Sequence, residues 1–414
     1  MGRAPPATCE DSPDTVPLRT PPSGPSAPTT SPRPPPEGSP LIGIIVFAVI
    51  GLVLLFPVVM TRLAKRKTAQ VEQARATIAR HRARLAEEER AKNTIVPADH
   101  GLLLGKDLVV FGDPGPEEAA ALDAAKAGDW RPIAAYIRAG ATHDVRGRRL
   151  YGAASLAAED DTWLRAWRAE DPQDPTAALV NANALVFLAW NIRSSARASE
   201  VSREQFDGFH RVLAQAEDAC AEAAALAPED PNPWSARIPV AMGLGYPNDR
   251  FRELWAELTA RDPHNWGAHD RALQYWCQKW RGSHELMHGF IDGAIAAAPA
   301  GSLLTPLKLS AFWEQFVRDG RNTPASWQSP EVGAALDATL ADLAAADPEN
   351  IRVTFTRGWL AYALTKAGRH TEALAQYQAL GPVIPPPFNG FNDPRQAFVD
   401  LRIDAVRGAV AAAS

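Results

Sequence analysis

The residues of this chain best placed to do chemistry are two histidines and a glutamate in one short segment. His284, Glu285 and His288 fit the pattern H-E-x-x-H. In zinc peptidases that spacing puts two imidazoles one helical turn apart, beside a glutamate that activates a zinc-bound water. Glu314, on a later predicted helix, is the candidate third ligand. One hypothesis is therefore a zinc metallohydrolase with His284, His288 and Glu314 as ligands and Glu285 as the catalytic base.

The segment around this motif also fits an ordinary helix start. Ser283 follows Gly282 and is a good N-cap residue, and Met287 falls where a repeat helix packs on its neighbour. The chain has no downstream zinc-peptidase signature, P-loop, G-x-S-x-G, Rossmann fingerprint or C-x-x-C. The alternative is a surface histidine pair without zinc or any other cofactor. The sequence favours this alternative, a protein that is not an enzyme.

Aromatic side chains cluster just before the motif, in the segment YWCQKWRGSHE. Trp and Arg commonly anchor a bound protein, and Trp276 and Trp280 stand one helical turn apart. Tyr275, Trp276, Trp280 and Arg281 therefore form a candidate groove for a protein or peptide partner. The alternative is that these tryptophans, like most of the 12 in the chain, are core residues. Cys277, between aromatic neighbours, predicts a buried thiol and not a nucleophile.

The elements that must position these residues are helices. From residue 116 onward, apolar segments rich in Ala, Leu and Trp alternate with Gly, Asp-Pro or Asn breaks, and no strand-rich section is evident. The predicted helices cover 116–127, 130–139, 149–159, 176–196, 204–226, 233–243, 249–260, 266–280, 284–298, 307–318, 330–346, 351–367 and 371–380, with a last one after 393. The fold class predicted is all-α.

Prolines that end helices recur at a regular spacing. The gaps between Pro228, Pro263, Pro299, Pro348 and Pro382 are 35, 36, 49 and 34 residues. A period near 34, made of two helices and a closing proline, is typical of tetratricopeptide repeats, in which each helix pair covers the apolar face of the next. The sequence thus predicts a tetratricopeptide-like α-solenoid of stacked antiparallel helix pairs over 116–410, with the clearest repeats in 228–385.

The copy at 351–385 resembles a tetratricopeptide unit most clearly. It has Gly368 at the turn, Ala373 where two helices must approach closely, and Tyr377 as a packing aromatic. At larger scale, the arrangement GDWRPIAAYI, DDTWLRAWRAEDP, FDGFH and ARDPHNWGAHDRALQYWCQKWRGSHELM resembles an uncharacterised bacterial family, domain of unknown function 4034. The resemblance covers most of 110–400. It implies the family's fold for this region and assigns no activity.

An uncharged run at 41–60, LIGIIVFAVIGLVLLFPVVM, predicts a transmembrane helix, because a bilayer core of about 30 Å needs roughly 20 apolar residues. Within about 20 residues of this run, the only basic residue on the amino-terminal side is Arg33. On the carboxyl-terminal side there are six basic residues, between 62 and 80. By the positive-inside rule the N-terminus is outside and the main domain is cytoplasmic. A cleaved signal peptide fits poorly, since the run is long and its basic residues follow it.

The segments flanking this anchor differ in composition. Residues 1–40, rich in Pro, Ser and Thr, predict a disordered tail. Residues 61–92 lack Gly and Pro, carry a net charge of +6, and predict a helical stalk whose basic end lies on anionic lipid. Residues 61–92 also contain a short apolar seam of the kind that pairs helices in coiled coils. The alternative to a solvated stalk is therefore a weak homodimer through 61–92. Residues 93–115, with several Gly and Pro breaks, predict a linker that could hold a small hairpin.

The net charge of the main domain is unlike that of nucleic-acid-binding proteins. Residues 93–414 hold 30 basic and 40 acidic side chains, a net charge of −10. Neutralising phosphates requires a basic face, so nucleic acid is excluded as the principal partner. The function predicted is a single-pass, membrane-anchored cytoplasmic helical-repeat protein that binds a protein or peptide or acts as a scaffold. The alternative is a membrane-tethered zinc hydrolase.

Overall fold

The computed structural model describes Thr77, Arg80 and residues 96–103, 107–112, 114–193 and 202–413. The predicted tail at 1–40 and anchor at 41–60 lie outside the described residues. So does the predicted stalk at 61–92, apart from Thr77 and Arg80, which are helical and exposed.

The all-α class is confirmed: the described chain is almost entirely helical. Its helices, in chain order, are α1 Pro116–Lys126, α2 Arg131–Arg138, α3 His143–Glu159, α4 Thr162–Glu170, α5 Pro175–Arg193, α6 Arg203–Leu226, α7 Asn232–Gly243, α8 Asn248–Arg261, α9 Trp266–Trp276, α10 His284–Ala297, α11 Pro306–Arg318, α12 Pro324–Trp327, α13 Pro330–Ala345, α14 Val353–Ala367, α15 His370–Leu380 and α16 Pro394–Ala413. The described chain also has two short strands, β1 Val109–Val110 and β2 Val383–Ile384. It has 3₁₀ turns at Pro97–His100 and Phe388–Gly390.

Side-chain caps fix where several of these helices begin. Ser202 caps α6 with a reciprocal capping box to Gln205, and Asn265 and Ser283 accept backbone N–H bonds at the starts of α9 and α10. Each cap satisfies a donor that the first helical turn leaves open, which is worth about 1 kcal/mol. At the other end, Gly368 closes α14 in the left-handed conformation, with φ of 79°.

Successive helices pack against one another, and alternate helices also touch. Helix α5 contacts α7, α7 contacts α9, and α9 contacts α11, while α6, α8 and α10 each pack on their neighbours in the chain. The interface of α5 and α6 is the most extensive and is lined by alanines, including Ala182, Ala216 and Ala219, all buried. Small side chains allow the two helix axes to come close.

Helix α5 is the one described helix that is long and apolar enough to cross a membrane, as judged by its length and composition. Half of its apolar window is buried inside the protein. It packs against α3, α6 and α7, so its apolar character is explained by its place in the core. The anchor predicted at 41–60 is a different segment.

The segment predicted as a linker belongs to the helical domain where the structure describes it. Strand β1 pairs in parallel with β2, with Val109 opposite Val383. Leu102 and Leu108 are buried, and Arg395 Nη1 donates to the Leu108 carbonyl at 2.8 Å. Where the stretch is described, β1 therefore pairs with a strand near the carboxyl-terminal end and not with a neighbouring strand of a small hairpin.

A second contact joins distant parts of the domain. Arg352, at the start of α14, makes a two-pronged salt bridge to Asp144 in the first turn of α3, and Nε lies 2.8 Å from Oδ2. The same guanidinium lies over the ring of Trp266, 4.3 Å from its centroid. The two charged side chains are 16% and 25% exposed. This salt bridge therefore joins α3 to the start of α14, although the two residues are 208 positions apart in the chain.

Candidate functional site

The H-E-x-x-H segment opens helix α10. Ser283 caps it, and the motif's two histidines lie on one face, four residues apart. Nε2 of His284 is 3.1 Å from Oδ1 of Asp319, and Nε2 of His288 is 2.8 Å from Oε1 of Gln315. Burial lowers the pKa of His288 and favours its neutral form. Each imidazole thus has a separate partner on or just after α11.

The two glutamates of the zinc hypothesis lie in different surroundings. Glu285 is exposed, and its pKa is lowered by a hydrogen bond with Ser283 and by its own backbone N–H. Glu314 is nearly buried; its Oε1 accepts from Gln274 at 2.8 Å and its Oε2 pairs with Lys279 at 2.8 Å. Across the described ranges, no three His, Cys, Asp or Glu side chains are grouped to hold a metal ion. The geometry does not assemble the predicted ligand set.

Two of the four predicted groove residues are core residues, which corrects that prediction. Tyr275 is fully buried, stacks on Phe251 at 3.6 Å between centroids, and donates its hydroxyl to the Tyr246 carbonyl. Trp276 is 7% exposed and packs edge-on against Phe251. Helix α9 ends at Trp276, and its last turn faces α8. These rings therefore stabilise the fold and are not presented to a partner.

The other two predicted residues lie at the surface. Trp280 is half-buried and Arg281 is exposed. The Trp280 ring meets that of Trp190, the centroids being 5.5 Å apart and the planes nearly perpendicular. The Arg193 guanidinium lies over both rings, 5.6 Å from Trp190 and 5.8 Å from Trp280. A tryptophan pair and an arginine from α5 thus meet the turn after α9.

Apolar side chains extend this surface. Leu244, at the carboxyl end of α7, is partly buried against the same apolar cluster on which Trp190 packs. Gly245 follows with φ of +66°, and a Cβ there would lie 2.3 Å from Nη2 of Arg281. The left-handed backbone favours glycine at this position, and the Arg281 guanidinium lies close against it. We call Trp190, Arg193, Leu244, Trp280 and Arg281 the Trp190–Trp280 surface.

Sequence reasoning missed Trp190 and Arg193. Their spacing of three residues on α5 places them on one helix face. The sequence alone could have predicted that they are neighbours. Their pairing with Trp280, however, joins segments 90 residues apart, and nothing in local spacing reports such a contact.

Comparison with protein-family models, with curated proteins and with solved structures found no match. The resemblance to domain of unknown function 4034 stays a prediction. The surface itself therefore carries the functional argument. It combines half-buried indole rings, a leucine and two guanidinium groups, the residue types that most often dominate the binding energy of protein interfaces.

Proposed function

We propose that this protein is a single-pass, membrane-anchored helical-repeat protein whose cytoplasmic domain binds a protein or peptide partner through the Trp190–Trp280 surface. The observation that carries the proposal is the half-buried tryptophan pair beneath Arg193. Rigid aromatic rings lose little entropy on binding, and an arginine beside them can pair with a partner carboxylate. The occupant proposed is a peptide segment with an apolar side chain next to an acidic one.

Two features support the repeat part of the proposal. The helix-ending prolines recur near 34 residues, and α5, α7, α9 and α11 touch in succession while the intervening helices pack beside them. Tetratricopeptide-like solenoids have this kind of nearest-neighbour packing, and their usual role is to bind other proteins. The buried Ala373 and Tyr377 fill the close-approach and aromatic positions expected for such a unit.

The membrane part of the proposal rests on the sequence alone. The run at 41–60 is long enough to span a bilayer, and the basic residues after it predict a cytoplasmic domain. Reporter fusions after residue 92 test this: a cytosolic reporter should be active and a periplasm-dependent phosphatase inactive. The opposite pair of results would reverse the topology.

Partner binding is tested by proximity labelling in cells with the full chain. Replacing both Trp190 and Trp280 by Ala should remove specific partners from the labelled set, and Arg281→Glu should weaken the same partners by charge reversal. The matched control is Trp130→Ala, since Trp130 is also half-buried and lies under an arginine, Arg131, at 4.7 Å. If the Trp190 and Trp280 double variant and Arg281→Glu label the same proteins as the unmodified chain, the surface is not the binding site.

A further inference from the structure

Two sulfur atoms meet in the interior between α9 and α10. The Cys277 thiol donates to the Met287 thioether, with Sγ and Sδ 3.3 Å apart. Cys277 is 3% exposed and Met287 is 1% exposed. A thiol and a thioether are both soft, polarisable donors, which suit monovalent copper better than zinc or magnesium.

A small cavity borders this sulfur pair. Its volume is about 20 Å³, and Cys277, Met287, His284 and Glu314 are among its lining residues. That is room for about one water molecule, or one ion of similar size. His284 is 21% exposed, so the cavity has a path to solvent past the imidazole.

The His284 imidazole is oriented in the way that metal-binding histidines usually are. Its Nε2 atom lies 3.1 Å from the Asp319 carboxylate, so in the neutral imidazole this contact favours the tautomer with the proton on Nε2 and the lone pair on Nδ1. Nδ1 is buried and, within the described part of the chain, has no hydrogen-bond partner. A carboxylate that fixes the tautomer and leaves the other nitrogen available is typical of histidine–metal sites.

We propose that Cys277, Met287 and His284 form a binding site for Cu(I). On binding, the Cys277 thiol releases its proton to solvent, and its thiolate sulfur, the Met287 sulfur and His284 Nδ1 each donate an electron pair to the ion. The copper keeps its oxidation state, and the thiolate and ion together carry no net charge, which limits the cost of burial.

Neighbouring charges are compatible with this site. Lys279 and Arg318 also line the cavity, but Lys279 is paired with Glu314 at 2.8 Å. At a tetrahedral angle, two sulfurs bound to one ion lie roughly 3.8 Å apart if each bond is about 2.3 Å. The sulfurs must therefore separate slightly, and the flexible Met287 side chain permits this.

The site differs from the zinc site of the H-E-x-x-H hypothesis. It uses one histidine of that motif, through Nδ1, and two sulfur ligands that the motif does not contain. His288 is left with its bond to Gln315. It is also independent of the Trp190–Trp280 surface, so either proposal can fail without the other.

The test titrates the purified full-length chain, reduced and in detergent, with Cu(I) buffered by bathocuproine disulfonate. Cys9→Ser and Cys220→Ser are combined first, leaving Cys277 as the single thiol of the chain. This background should take one Cu(I) per chain from the chelator. Cys277→Ser and Met287→Leu should each abolish competition with the chelator, and Asp319→Asn should lower Cu(I) affinity about tenfold, as loss of an orienting carboxylate does.

Met287→Leu keeps the buried volume and His284→Gln lies partly at the surface, so these two variants report on the site even if Cys277→Ser does not fold. X-ray absorption should show sulfur and nitrogen ligands to copper. The proposal is overturned if the background binds Cu(I) no more tightly than Met287→Leu does, or if equimolar Zn²⁺ displaces the Cu(I).

Discussion

At the scale of single residues, Glu217 on α6 shows how one carboxylate organises several neighbours. It accepts from the Tyr246 hydroxyl and pairs with Arg237 at 3.2 Å and with Arg250. Burial acts to raise the pKa of Glu217, but the Tyr246 bond and the two arginine charges outweigh it and hold the pKa below its ordinary value. The charged form is therefore stabilised by folding.

Replacing Glu217 by Gln should destabilise the protein by about 1.5–3 kcal/mol at pH 7, the range for hydrogen bonds to a charged group. The contribution of Glu217 is complete above its ordinary pKa of 4.5 and is lost as the pH falls through the depressed folded value. Urea unfolding at pH 7 and at several values below 4.5 measures this. The difference between the two proteins should shrink on acidification, and a constant difference would contradict the assignment.

The candidate site could be predicted from sequence only in part, and single residues show why. Residue type correctly indicated that Cys277 is buried and that Trp and Arg are grouped after α9. The direction in which each aromatic ring points could not be predicted from the sequence. Tyr275 and Trp276 turn towards Phe251, a contact set by how α9 packs on α8, whereas Trp280 follows the helix end and remains at the surface.

At the scale of elements, Gly358 shows how closely α14 approaches the loop after β2. A Cβ at Gly358 would lie 2.2 Å from the Pro386 carbonyl oxygen and 2.5 Å from the Pro385 ring. Both neighbours are stiff. A glycine inside a helix is intrinsically unfavourable, so its presence in the middle of α14 is explained by this contact.

Gly358→Ala should therefore destabilise the protein, by about 1–3 kcal/mol as for other overpacked sites, although alanine is the better helix former. Gly293, in α10, has open space around it, and Gly293→Ala is the matched control. It should stabilise by up to about 1 kcal/mol through helix propensity. Thermal unfolding of both variants checks the opposite signs; two shifts of the same sign would argue against the close contact.

Helix ends were predictable where the chain carries Pro, Gly or a cap, and less so elsewhere. Helix α3 begins at His143, six residues before the predicted start, because Thr142 caps it there. Gly147, a residue that usually interrupts helices, lies inside this helix. Helix α4 was not predicted because it is only nine residues long and lies between aspartates, although its buried Trp163, Leu164 and Trp167 share one face. The 49-residue gap between prolines holds the additional short helix α12, whose Trp327 is buried against Phe316 and Tyr362.

At the scale of the whole domain, the salt bridge between Asp144 and Arg352 links the start of α3 to the start of α14. Stacked repeats normally contact only their neighbours, and their stability is a sum of local terms. A contact across 208 residues adds a long-range term to that sum. The periodicity of the sequence does not report it, because it joins two helices that are far apart in the chain.

A double-mutant cycle with Asp144→Ala and Arg352→Ala should give a coupling free energy of about 1–2 kcal/mol, since both groups are largely removed from water. Arg352→Ala should be the more harmful single change, because it also removes the contact with Trp266. The exposed pair of Asp123 and Lys126 is the control, and its coupling should be close to zero. Urea unfolding of the full chain supplies the values; equal coupling for both pairs would refute the link.

The pairing of β1 with β2 also determines how the domain responds to mechanical force. Tension applied to the chain at its amino-terminal side reaches β1 before α1. There it meets the bonds from Val109 N–H to the Pro382 carbonyl and from Phe111 N–H to the Ile384 carbonyl, at 2.7 and 2.8 Å. When a pull on the amino-terminal end of β1 is resisted through the carboxyl-terminal end of β2, the parallel pair is loaded in shear, and these bonds share the load. The strand pair is thus the first strand contact that a pull from the amino-terminal side loads before it reaches α1.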